Sequence, residues 1–157
     1  MSVSDDRASS GGHEVLEAAL RRADQAEAKY GALVSQLPTI TYTEAVGDGR
    51  TLSISPQVEA LLGYTQEEWM NNALLWVDLL HPEDRERVVE SCHAANLRSE
   101  PFRAEYRMIA RDGRVVWMRD EAVLVRGSGG QPLCWQGIMM DVTLQKQAEA
   151  ARSSSPG

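Results

Sequence analysis

FRAEYRMIARDGRVVWMRDEAVLVRG, residues 102 to 127, is the stretch on which the fold turns. Phe102, Ala104, Tyr106, Met108 and Ala110 alternate with Arg103, Glu105, Arg107, Ile109 and Arg111, leaving one face mostly charged. Successive side chains of a strand point to opposite faces, so the pattern predicts a strand with one face against a core. Asp112-Gly113 is the strongest short hairpin signal a sequence offers. The second arm, Arg114 to Arg126, carries Val115, Val116, Trp117, Met118, Val123, Leu124 and Val125 on both faces. It reads as a central strand covered on both sides. Gly127-Ser-Gly-Gly130 makes another turn, and Leu133 to Val142 is a third strand with Pro132 at its start.

Towards the N-terminus, Ile40-Thr-Tyr-Thr-Glu-Ala-Val46 and Arg50-Thr-Leu-Ser-Ile54 are β-branched and aromatic, and Gly47-Asp48-Gly49 joins them as a hairpin. Helix signals fill the interval between the two strand sets. Ser55 reads as an N-cap with Pro56 at the first helical position; Val58, Leu61 and Leu62 form the apolar face, and Gly63 ends the helix. Thr65-Gln-Glu-Glu68 is a capping box opening a short helix that Asn71-Asn72 close, and Leu74 to Leu80 adds one or two turns. His81-Pro-Glu-Asp84 sets a histidine beside two acids and invites a metal or acid–base reading. It lacks a second ligand pair at helical spacing. Pro82 instead suits a first helical position, Glu83 and Asp84 suit the positive end of the helix dipole, and Glu83 can pair with Arg87 one turn on. The stretch is therefore read as the start of a helix reaching about Arg98, with Val88, Val89, Cys92 and Leu97 facing inward in part. Only His81 is left without a structural task.

Residues 13 to 37 read as one amphipathic helix. Leu16, Ala19, Ala23, Ala26, Tyr30, Leu33 and Leu37 recur at alternating intervals of three and four, an a/d seam of three heptads, and Pro38 stops it. Alanine dominates the middle of the seam. A fully buried Leu adds about 1.5–3 kcal/mol and an Ala much less, so self-association here is expected to be modest. The same helix can also pack back on its own domain. At the other end Thr143 reads as the cap of a final helix, residues 144 to 151, with Leu144, Ala148 and Ala151 on one face. Residues 1 to 12 and 152 to 157, rich in Ser and Gly, are expected to be disordered. The order of elements predicts an α+β domain over residues 38 to 143: one antiparallel sheet with helices on a face.

The net charge of −7 argues against a nucleic-acid partner or an anionic membrane, both of which call for a basic surface. The apolar runs, such as Ala73 to Val77, are too short to span a bilayer, and the N-terminus has no basic start followed by an apolar stretch, so a cytoplasmic location is expected. Cys92 and Cys134 lack zinc or haem-attachment spacing and read as small buried apolar residues. A Ser–His–Asp set, a phosphate-cradling glycine loop and an HExxH motif are all missing, so the chain is not read as an enzyme.

This order of elements, with these residues, resembles a PAS domain of bacterial sensor proteins. The resemblance runs from about Tyr30 to Lys146. It is carried by Ser55-Pro-Gln-Val-Glu-Ala-Leu-Leu-Gly-Tyr-Thr-Gln-Glu-Glu-Trp69, Trp76 followed by Leu80-His-Pro-Glu-Asp-Arg85, Phe102-Arg-Ala-Glu-Tyr-Arg107, Asp112-Gly-Arg-Val-Val-Trp117 and Asp141-Val-Thr143. The family implies a five-stranded antiparallel sheet that encloses a pocket together with helices. It also implies homodimerisation through the helix before the sheet, where the Leu16-to-Leu37 seam lies. Output to a signalling partner or downstream domain is implied through the helix after it, with Asp141, Val142 and Thr143 as the relay. On this basis the chain is a sensory and dimerisation module. The alternatives are a haem- or other cofactor-binding redox or gas sensor, or the regulatory part of a larger kinase, cyclase or phosphodiesterase.

No cofactor is predicted. Flavin photosensors of the family carry a reactive cysteine in an Asn-Cys-Arg motif on a short helix, whereas Cys92 stands in Glu90-Ser-Cys-His-Ala94 on the longer helix. Haem-binding members place a histidine on that longer helix; His93 is there, but not in the arrangement expected relative to the following strand. A small apolar ligand and a packed, empty core both stay open, with Trp76, Tyr106, Met108, Trp117 and Trp135 as the pocket candidates.

Overall fold

The computed structural model describes Gly12, residues 14–19, 21–22 and 38–154. The chain divides into two units, Met1–Leu37 and Pro38–Gly157. In the first, the described residues are helical, including Gly12, which the sequence placed in the irregular N-terminal stretch. Leu16 and Ala19 of the predicted seam lie on this helical segment and are exposed. Ala23, Ala26, Tyr30, Leu33 and Leu37 fall outside the described residues.

The second unit is built on one antiparallel sheet of β1 (Thr39–Glu44), β2 (Thr51–Ile54), β3 (Phe102–Ile109), β4 (Val115–Arg126) and β5 (Pro132–Asp141). Their spatial order is β2-β1-β5-β4-β3, so the first and last strands lie side by side at the centre. The hairpin at Asp112-Gly113 closes as read: Ala110 N–H donates to the Arg114 carbonyl at 2.9 Å, and Gly113 takes φ 90°. Alternation sorts the strands into two faces. Phe102, Tyr106 and Met108 of β3 are buried, as are Val116, Met118, Asp120 and Ala122 of β4 and Trp135, Gly137 and Met139 of β5. The outer face of β4 is less covered than expected. Trp117 and Arg119 are half-buried, while Val115 and Val123 are exposed.

Four helices cover the inner face: α1 (Gln57–Leu62), α2 (Gln66–Met70), α3 (Leu75–Leu79) and α4 (Pro82–Arg98). Val58, Leu62, Trp69, Leu75, Leu79 and Val88 from these helices join Ile40, Tyr106, Met108 and Met118 in one core. Ser55 does not cap α1. Its hydroxyl accepts from the Thr41 amide at 2.9 Å, tying the chain to β1, and Pro56 takes the cap position without a side-chain bond. Gly63 ends α1 at φ 82°, with Arg111 so close that an added Cβ would lie 2.9 Å from the Arg111 Cβ. Thr65 caps α2 as read, accepting from the Glu68 amide at 3.1 Å. Leu97, expected to face inward from α4, is 74% exposed because it lies in the last turn, beyond the sheet-facing Val88.

His81-Pro-Glu-Asp84 is a docking clamp. The His81 Nδ1 accepts from the Glu83 amide at 3.1 Å, so the histidine is the N-cap of α4. The Asp84 carboxylate faces Arg107 of β3: it accepts from Nε at 2.9 Å, from Nη2 at 2.8 Å and from the Arg107 amide at 2.9 Å. These bonds from Arg107, backed by Arg87, hold the Asp84 carboxyl well below the usual carboxylate range. Glu83 pairs with Arg107 rather than with Arg87, which lies near Asp84 instead. Arg85 donates to the carbonyls of Val77, Asp78 and Leu80 and so satisfies the end of α3.

Candidate ligand cavity and output junction

The inner face carries a carboxylate in the middle of its apolar residues. Asp120 sits at the same parity in β4 as Met118 and Ala122 and is 2% exposed. Both of its oxygens are satisfied. Tyr42 donates its hydroxyl to Oδ1 at 2.6 Å, and Tyr106 donates to Oδ2 at 2.6 Å. The Trp76 indole N–H in turn donates to the Tyr106 hydroxyl at 2.9 Å, with the two rings edge to face. Tyr42 reaches Asp120 only by crossing β5. Its register partner there is Gly137, where any Cβ would lie 2.2 Å from the Tyr42 Cζ. Burial pushes the Asp120 carboxyl up to about 6 despite the two hydroxyl donors. Burial, with the Asp120 charge second, drives both tyrosine hydroxyls far above their ordinary range, so they stay donors.

Next to this cluster lies a cavity of about 200 Å³. Its wall includes Tyr42 and Glu44 of β1, Trp69 of α2, Trp76 of α3, Cys92 of α4 and Trp135 of β5, with Asp120 at the sheet. Glu44 is raised to about 7 by burial and then by the Asp120 charge. The Cys92 thiol is pushed up to about 11 by burial and by the same two carboxylates. This is the opposite of an activated thiolate. Both cysteines are half-buried rather than fully buried.

The five pocket candidates divide. Trp76 and Trp135 line the cavity. Tyr106 stands behind Trp76 as the hydrogen-bonded link to Asp120, and Met108 is fully buried core away from the wall. Trp117 was misplaced: it points to the other face of β4, because its parity is opposite to that of Met118 and Asp120. Asp120, Glu44 and Tyr42 were missed. The available signal was an aspartate at an inward position of an otherwise apolar strand face.

Trp117 belongs to the junction where β5 becomes the last helix, α5 (Thr143–Ser153). Its amide donates to the Thr143 hydroxyl at 3.0 Å, and its carbonyl accepts from the Val142 amide at 2.9 Å. Asp141 Oδ1 accepts from both the Thr143 amide, at 2.9 Å, and the Thr143 hydroxyl, at 2.6 Å. Val142, not Thr143, therefore holds the cap position, without a side-chain bond, and the Thr143 hydroxyl is turned back to β4. The Lys146 ammonium lies 5.1 Å from the Trp117 ring centre and 2.6 Å from Glu105. Leu144, Ala148 and Ala151 share a helix side as read but are all exposed, with Leu144 at 82%. The helix also continues through Arg152 and Ser153, which the sequence assigned to a disordered tail.

A model of the PAS fold family matches residues 51–139, more than half of the chain. The chain belongs to the PAS family. This PAS domain is 33% identical over 89 residues to a methyl sulfide methyltransferase-associated sensor of Methanosarcina acetivorans, a match covering 56% of this chain and 9% of that protein. It is 32% identical over 102 residues to a blue-light-activated histidine kinase of Brucella ovis, covering 65% of this chain and 20% of that one. The chain thus spans a small part of the curated relatives it matches. Among solved structures, the N-terminal domain of a diguanylate cyclase with PAS/PAC sensor from Marinobacter aquaeolei superposes with a TM-score of 0.63 at 34% identity, covering 69% of this chain and 98% of that chain. A sensory box histidine kinase/response regulator from Burkholderia thailandensis gives 0.61 at 25% identity, covering 80% and 92%. With these relatives, the domain is a sensory module of signal-transduction proteins.

Among the described residues no histidine lines the cavity beside the core; His93 lines an adjoining concavity with Gly47 and Leu97. Cys92 reaches the cavity wall.

Proposed function

We propose that this PAS domain is a non-catalytic sensory and dimerisation module. In this reading a small molecule or a partner acts on the inner cavity, and the response leaves through Asp141, Val142 and Thr143 into α5. The observation that carries the reading is that one strand serves both places. On β4, Asp120 faces the cavity, and Trp117, three residues earlier, faces outward and holds the α5 junction. The register continues this link into β5, where Asp120 pairs with Met139 and Met118 with Asp141. A shift of β4 at the cavity therefore reaches the hydrogen bonds that set the direction of α5. The exposed Leu144 side of α5 supports a signalling partner or output domain beyond it. The seam from Leu16 to Leu37 supports a homodimer. The net charge of −7 supports a cytoplasmic protein that engages neither nucleic acid nor anionic membrane. Among the described residues no helix is long and apolar enough to cross a membrane. The whole protein is then a signalling protein regulated by this domain.

Amide hydrogen exchange on the full chain tests the coupling. Asp120→Asn perturbs the cavity without touching the junction, and it should change exchange at the Trp117 and Lys146 amides several-fold. Unchanged exchange there, in a variant whose cavity residues do respond, refutes the relay. Sedimentation at rising concentration tests the dimer, which fails if the chain stays a monomer throughout.

A further inference from the structure

We propose that the cavity is a receptor site for a small organic cation, an alkylated ammonium held by the rings of Trp69, Trp76, Trp135 and Tyr42 against the carboxylates of Asp120 and Glu44. The inference deepens the sensory reading and rests on it.

Three observations on one site carry it. The first is the ring content of the wall. The chain has four tryptophans and one phenylalanine, and three of the tryptophans, the phenylalanine (Phe102) and Tyr42 line this one cavity. Aromatic faces attract cations, and tryptophan does so best, which is how quaternary ammonium groups are recognised. The second is charge. The wall holds two carboxylic acids, Glu44 and Asp120, and among the described residues no Lys, Arg or His. The ordinary partners of a buried carboxylate are thus missing on the cavity side, although the outer face pairs Glu105 with Arg119 and Lys146. Asp120 is held by neutral hydroxyls alone, and the Glu44 carboxylate has no hydrogen bond or ion pair among the described residues. The third is size. About 200 Å³ is below the roughly 300–1,000 Å³ of pockets for drug-sized ligands, so the ligand is an ammonium with a few carbons.

Without a cation, burial keeps protons on this site: Asp120 is raised to about 6 and Glu44 to about 7. A bound cation favours the ionised carboxylates and displaces those protons. Affinity should therefore rise with pH between about 5.5 and 8. Tyr42 and Tyr106, held protonated, and Cys92, raised to about 11, also face the carboxylates and do not titrate in that window. His93 lines the adjoining concavity, which shares Trp135 and Asn96 with this one, so its contribution is checked with His93→Gln.

The test is calorimetric titration of the full chain with choline and with 3,3-dimethylbutan-1-ol, the isostere in which carbon replaces the charged nitrogen. Tryptophan fluorescence serves as a second readout. Choline should bind at least ten-fold tighter than the alcohol, with proton release, and Glu44→Gln should weaken choline at least five-fold while leaving the alcohol unchanged. Glu44 lies at the rim of the core, so this variant folds even where Asp120→Asn does not. Equal binding of both compounds overturns the cation assignment and leaves a sensory cavity for neutral molecules. Failure of choline, tetramethylammonium and butylammonium to bind also overturns it. The exchange response of Trp117 and Lys146 to Asp120→Asn then shows independently whether the sensory relay survives.

Discussion

Gly137→Ala should destabilise the domain by several kcal/mol, although it adds one methyl group to a strand. Gly137 is in extended backbone and absent from the positive-φ residues, so alanine pays no conformational penalty. In a strand interior such a change ordinarily stabilises by roughly 0.5–1 kcal/mol. Here the new Cβ would lie 2.2 Å from Cζ, 2.3 Å from the hydroxyl and 2.7 Å from Cε2 of Tyr42. The ring must leave, and its hydroxyl then leaves Asp120. Loss of a hydrogen bond to a charged group costs roughly 1.5–3 kcal/mol, and forcing a methyl into a packed core roughly 1–3 more. The sum, about 2.5–6 kcal/mol, less the conformational gain leaves about 1.5–5.5 kcal/mol, a fall in Tm of roughly 5–20 °C for a domain of this size. Thermal and urea unfolding of Gly137→Ala, Tyr42→Ser and the double variant measure it. In the double variant the clash has no partner, so Gly137→Ala should cost far less there. A Gly137→Ala protein as stable as the parent, or strict additivity with Tyr42→Ser, would refute the idea that Tyr42 crosses β5 over this glycine.

Asp84→Asn should cost about 1.5–3 kcal/mol in urea unfolding at pH 7, because the charge-assisted bonds from Arg107 to the buried carboxylate are lost. The folded pKa of Asp84 is depressed, so its contribution is complete above the unfolded value near ~4 and fades as pH falls below it; the gap between variant and parent should narrow by pH 3. Asp120 and Glu44 act in the opposite sense. Their raised folded values make the native state hold extra protons, so parent stability should fall as pH rises from about 5 to about 7, by no more than ~1.4 kcal/mol per pH unit per group. Asp120→Asn combined with Glu44→Gln should flatten that slope. Thr143→Val removes the hydroxyl that accepts from Trp117 and donates to Asp141, and it should speed exchange of the Trp117 amide about ten-fold with a loss of about 1 kcal/mol.

The strands and their faces were legible because alternation is strict in Phe102 to Ala110 and the Asp112-Gly113 turn is unambiguous. The helix starts at Thr65 and Pro82 were legible for the same kind of reason: short-range capping chemistry is written in consecutive residues. What depends on long-range pairing was not. Whether Trp117 faced the cavity or the solvent followed from counting parity from Met118, but the valines on both sides of β4 hid that count. The partnership of Asp84 with Arg107 spans 23 residues, and the local Glu83–Arg87 spacing drew attention away from it. The Asp120 site was missed although its inward parity was countable and the Asp112-Gly113 hairpin brings Tyr106 to the neighbouring strand, because Tyr42, its other donor, comes from β1, two strands away.

The Asp141 amide donates to the Pro38 carbonyl at 2.9 Å, and Thr39 faces Met140 across the central pair of strands. The two ends of the domain therefore meet at a single point. A module closed in this way can be spliced into a longer chain, or cut out of it, at two points that lie close together. It also means that a rotation of β5 against β1 is opposed along the whole pairing of Thr39 to Glu44 with Met140 to Trp135.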